Sequence, residues 1–144
     1  MRLRSFVLLV ILTGGLSCAP KEPVLVPVSG RVRLTDGRPV TTGIVEAIHE
    51  SGKSTARGKL DAEGRFTLKT GDHEGAQIGK YVVIVQQMII ADGAPNHVGK
   101  HTAHLVIHAK YAKPETSGLA RSVEPNSKNE WNLELEPAAT KRGW

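Results

Sequence analysis

The stretch VSGRVRLTDGRPV, residues 28–40, decides the fold class of this chain. Small or apolar residues alternate there with polar ones: Val28, Gly30, Val32 and Leu34 against Ser29, Arg31 and Arg33. A period of two places one set on the buried face of a β-strand and the other set in solvent. Asp36-Gly37 follows as a turn signal. The stretch therefore predicts a half-buried strand that ends in a tight turn.

Similar short segments recur along the chain, separated by turn residues about every eight to twelve positions. The predicted strands cover residues 28–34, 43–49, 54–60, 65–69, 80–87, 118–123 and 131–135. The segment KYVVIVQQ at 80–87 is the most apolar and is typical of a central strand that is covered on both faces. No long window keeps the apolar stripe of a helix. We therefore predict an all-β domain, a seven-stranded sandwich whose core is built around Val32, Phe66, Val83 and Leu133.

Composition agrees with a turn-rich β domain, because the 144 residues include 15 glycines and 8 prolines but only 4% aromatics. The single cysteine excludes an intramolecular disulfide, so stability must come from the core. The formal charge of +5 falls to +3 when Arg2 and Arg4 of the leader are discounted. Since no run of five or more like charges occurs, nucleic-acid binding is not expected.

The N-terminus has the layout of a secretory signal peptide, which we assign to residues 1–17. Arg2 and Arg4 precede an apolar run from Phe6 to Leu16 that is too short to cross a bilayer as a helix. Residues 18–27 contain three prolines and are interpreted as an extended tether. The folded domain is expected over 28–136, with a long connection at 88–116 and a disordered tail at 137–144.

Cys18 follows the apolar run directly, and this position resembles the lipobox cysteine of bacterial lipoproteins. In that motif the thiol is acylated and the leader is removed before it. Ser17 fits the motif, whereas Gly15 and Leu16 depart from it. The resemblance predicts lipid attachment at Cys18 and a membrane-anchored lipoprotein of the cell envelope. The alternative is an ordinary signal peptide that leaves Cys18 as a free thiol.

Four segments and the closing WNLEL at 131–135 resemble the carboxypeptidase-regulatory-like, or transthyretin-like, domains of bacterial (planctomycete-type) envelope lipoproteins. They are VSGRVRLTDGRPV at 28–40, GKLDAEGRFTL at 58–68, GAQIGKYVVIV at 75–85 and KYAKPETSGL at 110–119. The resemblance implies a seven-stranded sandwich of transthyretin-like topology. It also implies a surface-attached module without catalytic activity. These motifs consist of turn and core residues, so they specify a fold and not a site.

A histidine cluster, HVGKHTAHLVIH, is the sharpest chemical feature of the chain. His97, His101, His104 and His108 follow one another at steps of four, three and four. Imidazole is a common ligand of zinc and copper, so a His-rich metal-binding lipoprotein is an alternative function. Gly93, Pro95 and Gly99 interrupt any helix there, and a surface loop that carries histidines without a function explains the same pattern.

Catalytic constellations are not recognisable in the sequence, so no catalytic residue and no cofactor are expected. A nucleophile elbow and a Gly-rich phosphate loop are both missing. A transthyretin-like hydrolase stays as a further alternative, although the tail Lys141-Arg142-Gly143-Trp144 matches the Tyr-Arg-Gly-Ser ending of those enzymes only at Arg-Gly. We predict a non-enzymatic envelope module with a binding or structural role. Its partners would be the membrane, through the lipid, and an envelope protein or polysaccharide.

Overall fold

The computed structural model describes residues 23–87 and 106–139. These residues form an all-β domain, as predicted, with two short helical turns. The strands are β1 (Leu25–Val26), β2 (Val28–Leu34), β3 (Ile44–His49), β4 (Thr55–Lys59), β5 (Arg65–Thr67), β6 (Lys69–Thr70), β7 (His73–Glu74), β8 (Ala76–Gln77), β9 (Gly79–Gln86), β10 (Leu119–Val123) and β11 (Asn129–Leu135). A 3-10 helix spans Ala109–Ala112, and α1 spans Pro114–Ser117.

The strands form three sheets. The large sheet has the order β10-β9-β3-β4-β6-β7, the small sheet has the order β11-β2-β5, and β1 pairs with β8. Every strand pair is antiparallel except β11 and β2, which run parallel with Asn129 opposite Val28 and Leu135 opposite Leu34. The last long strand thus lies beside the first, which joins the two ends of the domain in one sheet.

One apolar core contains residues of both the large and the small sheet, as in a β-sandwich. Val32, Phe66, Val83 and Leu133 are at most 4% exposed, so the predicted centre of the core is confirmed. Buried and exposed residues alternate along β2 and along β11. Every second residue of each strand therefore turns inward and joins this core. Burial of each large side chain contributes about 1.5–3 kcal/mol.

The predicted strand segments all overlap observed strands, but the count differs. Four two-residue strands, β1, β6, β7 and β8, raise the number within the described ranges to eleven. The predicted strand 65–69 is divided at Leu68, which is fully buried and whose N–H donates to the Val28 carbonyl at 2.9 Å. The chain therefore passes from the small sheet (β5) to the large sheet (β6) within the segment 65–69.

The central position of β9 is as predicted, since it lies between β10 and β3. Its coverage is less complete than its apolar sequence suggested. Val83 and Val85 are fully buried and Ile84 is 4% exposed, but Val82 on the outer face is 37% exposed. The apolar run therefore reflects burial on one face along its length and on the other face only in part.

Ordered pairing extends past both predicted ends of the domain. Leu25 and Val26, in the segment interpreted as a tether, pair with Gln77 and Ala76. After β11, Pro137 forms a bridge with Ile107, and the Ala138 N–H donates to the Val106 carbonyl at 2.9 Å. Prolines are compatible with such pairing at a sheet edge, where a missing N–H costs little. Residues 1–22 and 140–144 lie outside the described part of the chain.

Residues 106–116, the described end of the connection predicted at 88–116, contain the 3-10 helix and all of α1 except Ser117. Pro114 occupies the first turn of α1, and Gly118 ends it at φ 64°. Tyr111 of the 3-10 helix is buried, and its hydroxyl accepts the Glu136 N–H at 3.1 Å. This part of the connection is therefore packed against the domain. Residues 88–105 of the same connection lie outside the described ranges.

Candidate functional site

An open groove lies on the outer face of the small sheet and encloses about 760 Å³. We call it the arginine groove. Its lining consists of Ser29, Gly30, Arg31 and Arg33 from β2, Lys59 and Asp61 from the end of β4, Arg65, Phe66 and Thr67 from β5, and Glu130 and Asn132 from β11. All three strands of the small sheet contribute, so the groove has a rigid base.

The two-residue period of the strands explains which side chains line the groove. On β2, Val32 points into the core, while Arg31 and Arg33 face the opposite side. Strand pairing then aligns Arg31 with Asn132 of β11 on one side and with Arg65 of β5 on the other. The sequence predicted the solvent face of β2. It did not predict that β5 and β11 flank β2 in one sheet.

Arg31 and Arg65 lie directly opposite each other on antiparallel strands. Like charges at directly opposed positions destabilise a sheet. Within the described ranges, neither guanidinium group forms a salt bridge or a side-chain hydrogen bond, and the same holds for Arg33. The groove therefore concentrates positive charge that the described part of the protein does not neutralise by direct contact.

Each of the two acids in the groove uses one carboxylate oxygen for contacts within the protein, Oδ1 of Asp61 and Oε2 of Glu130. The Oδ1 atom of Asp61 accepts the backbone N–H groups of Arg65 at 2.8 Å and Glu63 at 2.9 Å. The first of these bonds is the main reason that the pKa of Asp61 lies below its ordinary value, and the charges of Arg65 and Arg31 lower it further. Glu130 pairs with Lys128 at 2.8 Å, and this contact lowers the pKa of Glu130.

Gly30 and Phe66 lie opposite each other on β2 and β5 at the base of the groove, and the Phe66 side chain belongs to the core on the inner face of the sheet. The Phe66 ring lies against the backbone of Gly30, so a Cβ atom at position 30 would lie 2.6 Å from Cζ of the ring and would overlap the Trp131 carbonyl oxygen. Only glycine permits this close approach. Phe66 is nevertheless 4% exposed, so it gives little surface for stacking against a ligand. Polar groups on the floor come from Ser29, Thr67 and Asn132.

The histidine cluster is only partly described. His108 caps the 3-10 helix, where its Nδ1 atom accepts the Lys110 N–H at 3.1 Å, which leaves Nε2 for any other partner. His97, His101 and His104 lie outside the described residues. Within residues 23–87 and 106–139, no three His, Cys, Asp or Glu side chains are grouped so that they could hold a metal ion. Metal binding by the cluster stays a prediction.

A serine–histidine pair that the sequence did not reveal lies at the β3–β4 turn. The Ser51 hydroxyl is 2.8 Å from Nδ1 of His49, and the Ser51 N–H donates to the same atom at 3.1 Å. Nδ1 is thus an acceptor, and the ring proton belongs on Nε2, which lies 3.2 Å from the Ile78 carbonyl. A carbonyl occupies the place where a triad has an acid. The arrangement ties the hairpin to the start of β9.

The two tyrosines are also held by the backbone. The Tyr81 hydroxyl donates to the Gln77 carbonyl at 2.7 Å, and burial raises the pKa of Tyr81. Tyr111 receives the N–H of Glu136, as described above. Both side chains therefore have structural roles in the packing of the domain.

The leader and Cys18 lie outside the described residues. Within 23–87 and 106–139, no helix has the length and apolar character needed to span a membrane. Comparison of the chain with protein-family models, curated proteins and solved structures found no match. The groove therefore has to be interpreted from its own chemistry.

Proposed function

We propose that this chain is an exported, lipid-anchored module of the cell envelope that binds a ligand in the arginine groove and does not catalyse a reaction. The observation that carries the proposal is the opposed pair Arg31 and Arg65 at the base of an open groove, neither of which forms a salt bridge within the described ranges. We further propose that the domain belongs to the carboxypeptidase-regulatory-like, transthyretin-like class, with the seven long strands as its sandwich. The sequence segments given above support that assignment.

The composition of the groove supports binding without catalysis. Ser29 and Thr67 offer hydroxyl groups, but no histidine or cysteine lines the groove. A hydroxyl nucleophile needs an adjacent base. Asp61 and Glu130 are weak bases, because hydrogen bonds and neighbouring cations lower the pKa of both. General acid–base catalysis by two carboxyl groups needs environments that push their pKa values apart, and here both shift in the same direction.

The position of Cys18 supports anchoring. Leu25, the first residue of β1, lies seven positions after Cys18. A fully extended chain of this length spans at most about 25 Å, so a lipid on Cys18 would hold the domain close to the membrane surface. Several acyl chains together would anchor it stably, because each buried methylene contributes about 0.8 kcal/mol.

Membrane fractionation tests the anchor. We expect the full chain, expressed in a bacterium, to appear in the membrane fraction and to resist a high-salt wash, with a diacylglyceryl mass on Cys18. Cys18→Ala should move the protein to the soluble fraction. Ser17→Ala is the matched control, since a small residue at that position keeps the lipobox pattern and should preserve anchoring. An unmodified Cys18, or equal partitioning of the wild type and Cys18→Ala, would refute the anchor.

A further inference from the structure

We infer that the arginine groove recognises an acidic saccharide, a sugar chain with a single negative charge on each charged ring. This inference rests on the proposed function and specifies the ligand of the same groove. It follows from three properties of the lining: the arginines without a salt bridge, the neighbouring carboxylates and the uncharged polar groups.

The arginines indicate an anionic group. Arg31 and Arg65 are opposed across β2 and β5, and Arg33 lies two positions further along the same face of β2. A guanidinium group offers a planar fork of N–H donors that matches a carboxylate through two hydrogen bonds. An oxyacid group between Arg31 and Arg65 would replace their mutual repulsion by two attractions. The free groove therefore favours an anion more strongly than isolated surface arginines would.

The carboxylates limit how much negative charge the ligand can carry. Lys59 and the three arginines bring four positive charges to the groove, and Asp61 and Glu130 bring two negative charges. A polymer with dense charge, such as a nucleic acid, would place some of its anions beside these carboxylates. A chain with one charge per ring can seat its acid between the arginines and keep hydroxyl groups near Asp61 and Glu130. Carboxylates are strong acceptors for such hydroxyls.

The uncharged polar groups of the groove indicate a ligand that is rich in hydroxyl groups and is not a peptide. Ser29, Thr67 and Asn132 face the groove, and their side chains have no hydrogen-bond partner within the described ranges. A peptide that extends a sheet pairs with the backbone of an edge strand. The arginine groove instead lies across the face of the sheet, where only side chains are offered. Its volume of about 760 Å³ is also typical of small-ligand sites.

Calorimetric titration of the protein, purified after expression of the full chain in a bacterium, with three probes tests the inference. The probes are oligogalacturonate, a neutral dextran oligosaccharide and oligoglutamate of matched charge. We expect binding of oligogalacturonate that weakens as salt is added, because the contact is electrostatic. Arg31→Gln and Arg65→Gln should each weaken it at least tenfold. Arg57→Gln is the matched control: Arg57 pairs with Glu46, does not line the groove, and its replacement should leave the affinity unchanged.

Thermal unfolding of each variant checks that it is folded before its affinity is compared. Equal binding of dextran would overturn the inference, because the acid would then be irrelevant. Equal binding of oligoglutamate that depends on Arg31 and Arg65 would also overturn it, but a ligand-binding groove would stand. Binding of none of the three probes by the folded chain would overturn the inference, whereas the proposed anchor would stand if Cys18 carries the diacylglyceryl mass. An unmodified Cys18 would count against the proposed anchor whatever the probes do.

Discussion

The two faces of the small sheet differ sharply although they are built from the same three strands. On the inner face, Phe66 and Leu133 are buried in the common core. On the outer face, their chain neighbours Arg65 and Asn132 line the arginine groove. One step along a strand thus separates a residue that stabilises the fold from one that we assign to ligand binding. Changes on the two faces should therefore have separable effects.

The largest expected effect comes from the inner face. Phe66→Ala removes a ring that is 4% exposed and contacts Gly30, so it leaves a cavity between the sheets. We expect a loss of about 3–5 kcal/mol in the free energy of unfolding. Urea denaturation followed by circular dichroism measures it.

Thr67→Ala is the control for this change, since Thr67 is the next residue on β5 and is exposed. Its effect should stay within about 0.5 kcal/mol. Similar losses for Phe66→Ala and Thr67→Ala would contradict the distinction between the two faces.

A smaller effect is expected from the opposed arginines. In a double-mutant cycle of Arg31→Gln and Arg65→Gln, the coupling free energy should be repulsive and of about 0.2–1 kcal/mol at low salt. The cycle is needed because both arginines also attract Asp61, which each single variant would disturb. Denaturant unfolding of the four proteins gives the coupling.

Salt provides the control for this cycle, since screening should reduce the repulsion toward zero near 1 M. An attractive coupling at low salt would mean that the two guanidinium groups are already bridged within the protein.

The smallest expected effect is the loss of protein stability at acid pH that results from protonation of Asp61. Its pKa in the folded protein lies below the ordinary value of 3.8, mainly because the backbone N–H of Arg65 donates to it. Because the pKa is lowered in the folded protein, the carboxylate contributes its full stabilisation at pH values above the ordinary pKa of 3.8. This contribution is lost as the pH falls through the lowered pKa. The wild type should therefore lose stability more steeply than Asp61→Asn below about pH 4.

The urea midpoint, measured at a series of pH values, checks this difference. Asp61→Asn keeps an oxygen that can accept the N–H groups of Glu63 and Arg65, but it cannot titrate. Parallel curves for the two proteins would show that the carboxylate of Asp61 contributes no pH-dependent stability.

Much of the fold could be predicted from the sequence, because strand formation and inside–outside alternation are local properties. The period of two in 28–34 placed Val32 in the core, Leu133 was likewise predicted there, and Gly37 of the predicted Asp36-Gly37 turn has φ 89°. The short strands β1, β6, β7 and β8 escaped prediction, since two residues are too few to show a period.

The candidate site was largely invisible in the sequence. Arg31 and Arg65 are 34 positions apart in a chain whose basic residues are scattered, and nothing local marks either one. The histidine cluster is visible in the sequence because its members are close together along the chain. Its described member, His108, uses Nδ1 to cap the 3-10 helix. Arg31 and Arg65 are brought together by strand pairing, which closeness in sequence cannot indicate.

By itself, the sequence determined the all-β class, the positions of the long strands and the face of each strand that turns inward, because these depend on neighbouring residues and on the exclusion of apolar side chains from water. Only the tertiary structure decided which strands lie side by side. The parallel pairing of β11 with β2 and the antiparallel pairing of β5 with β2 bring Asn132, Arg31 and Arg65 into one row. Such pairing depends on how the entire core closes, and no short segment of the chain contains that information.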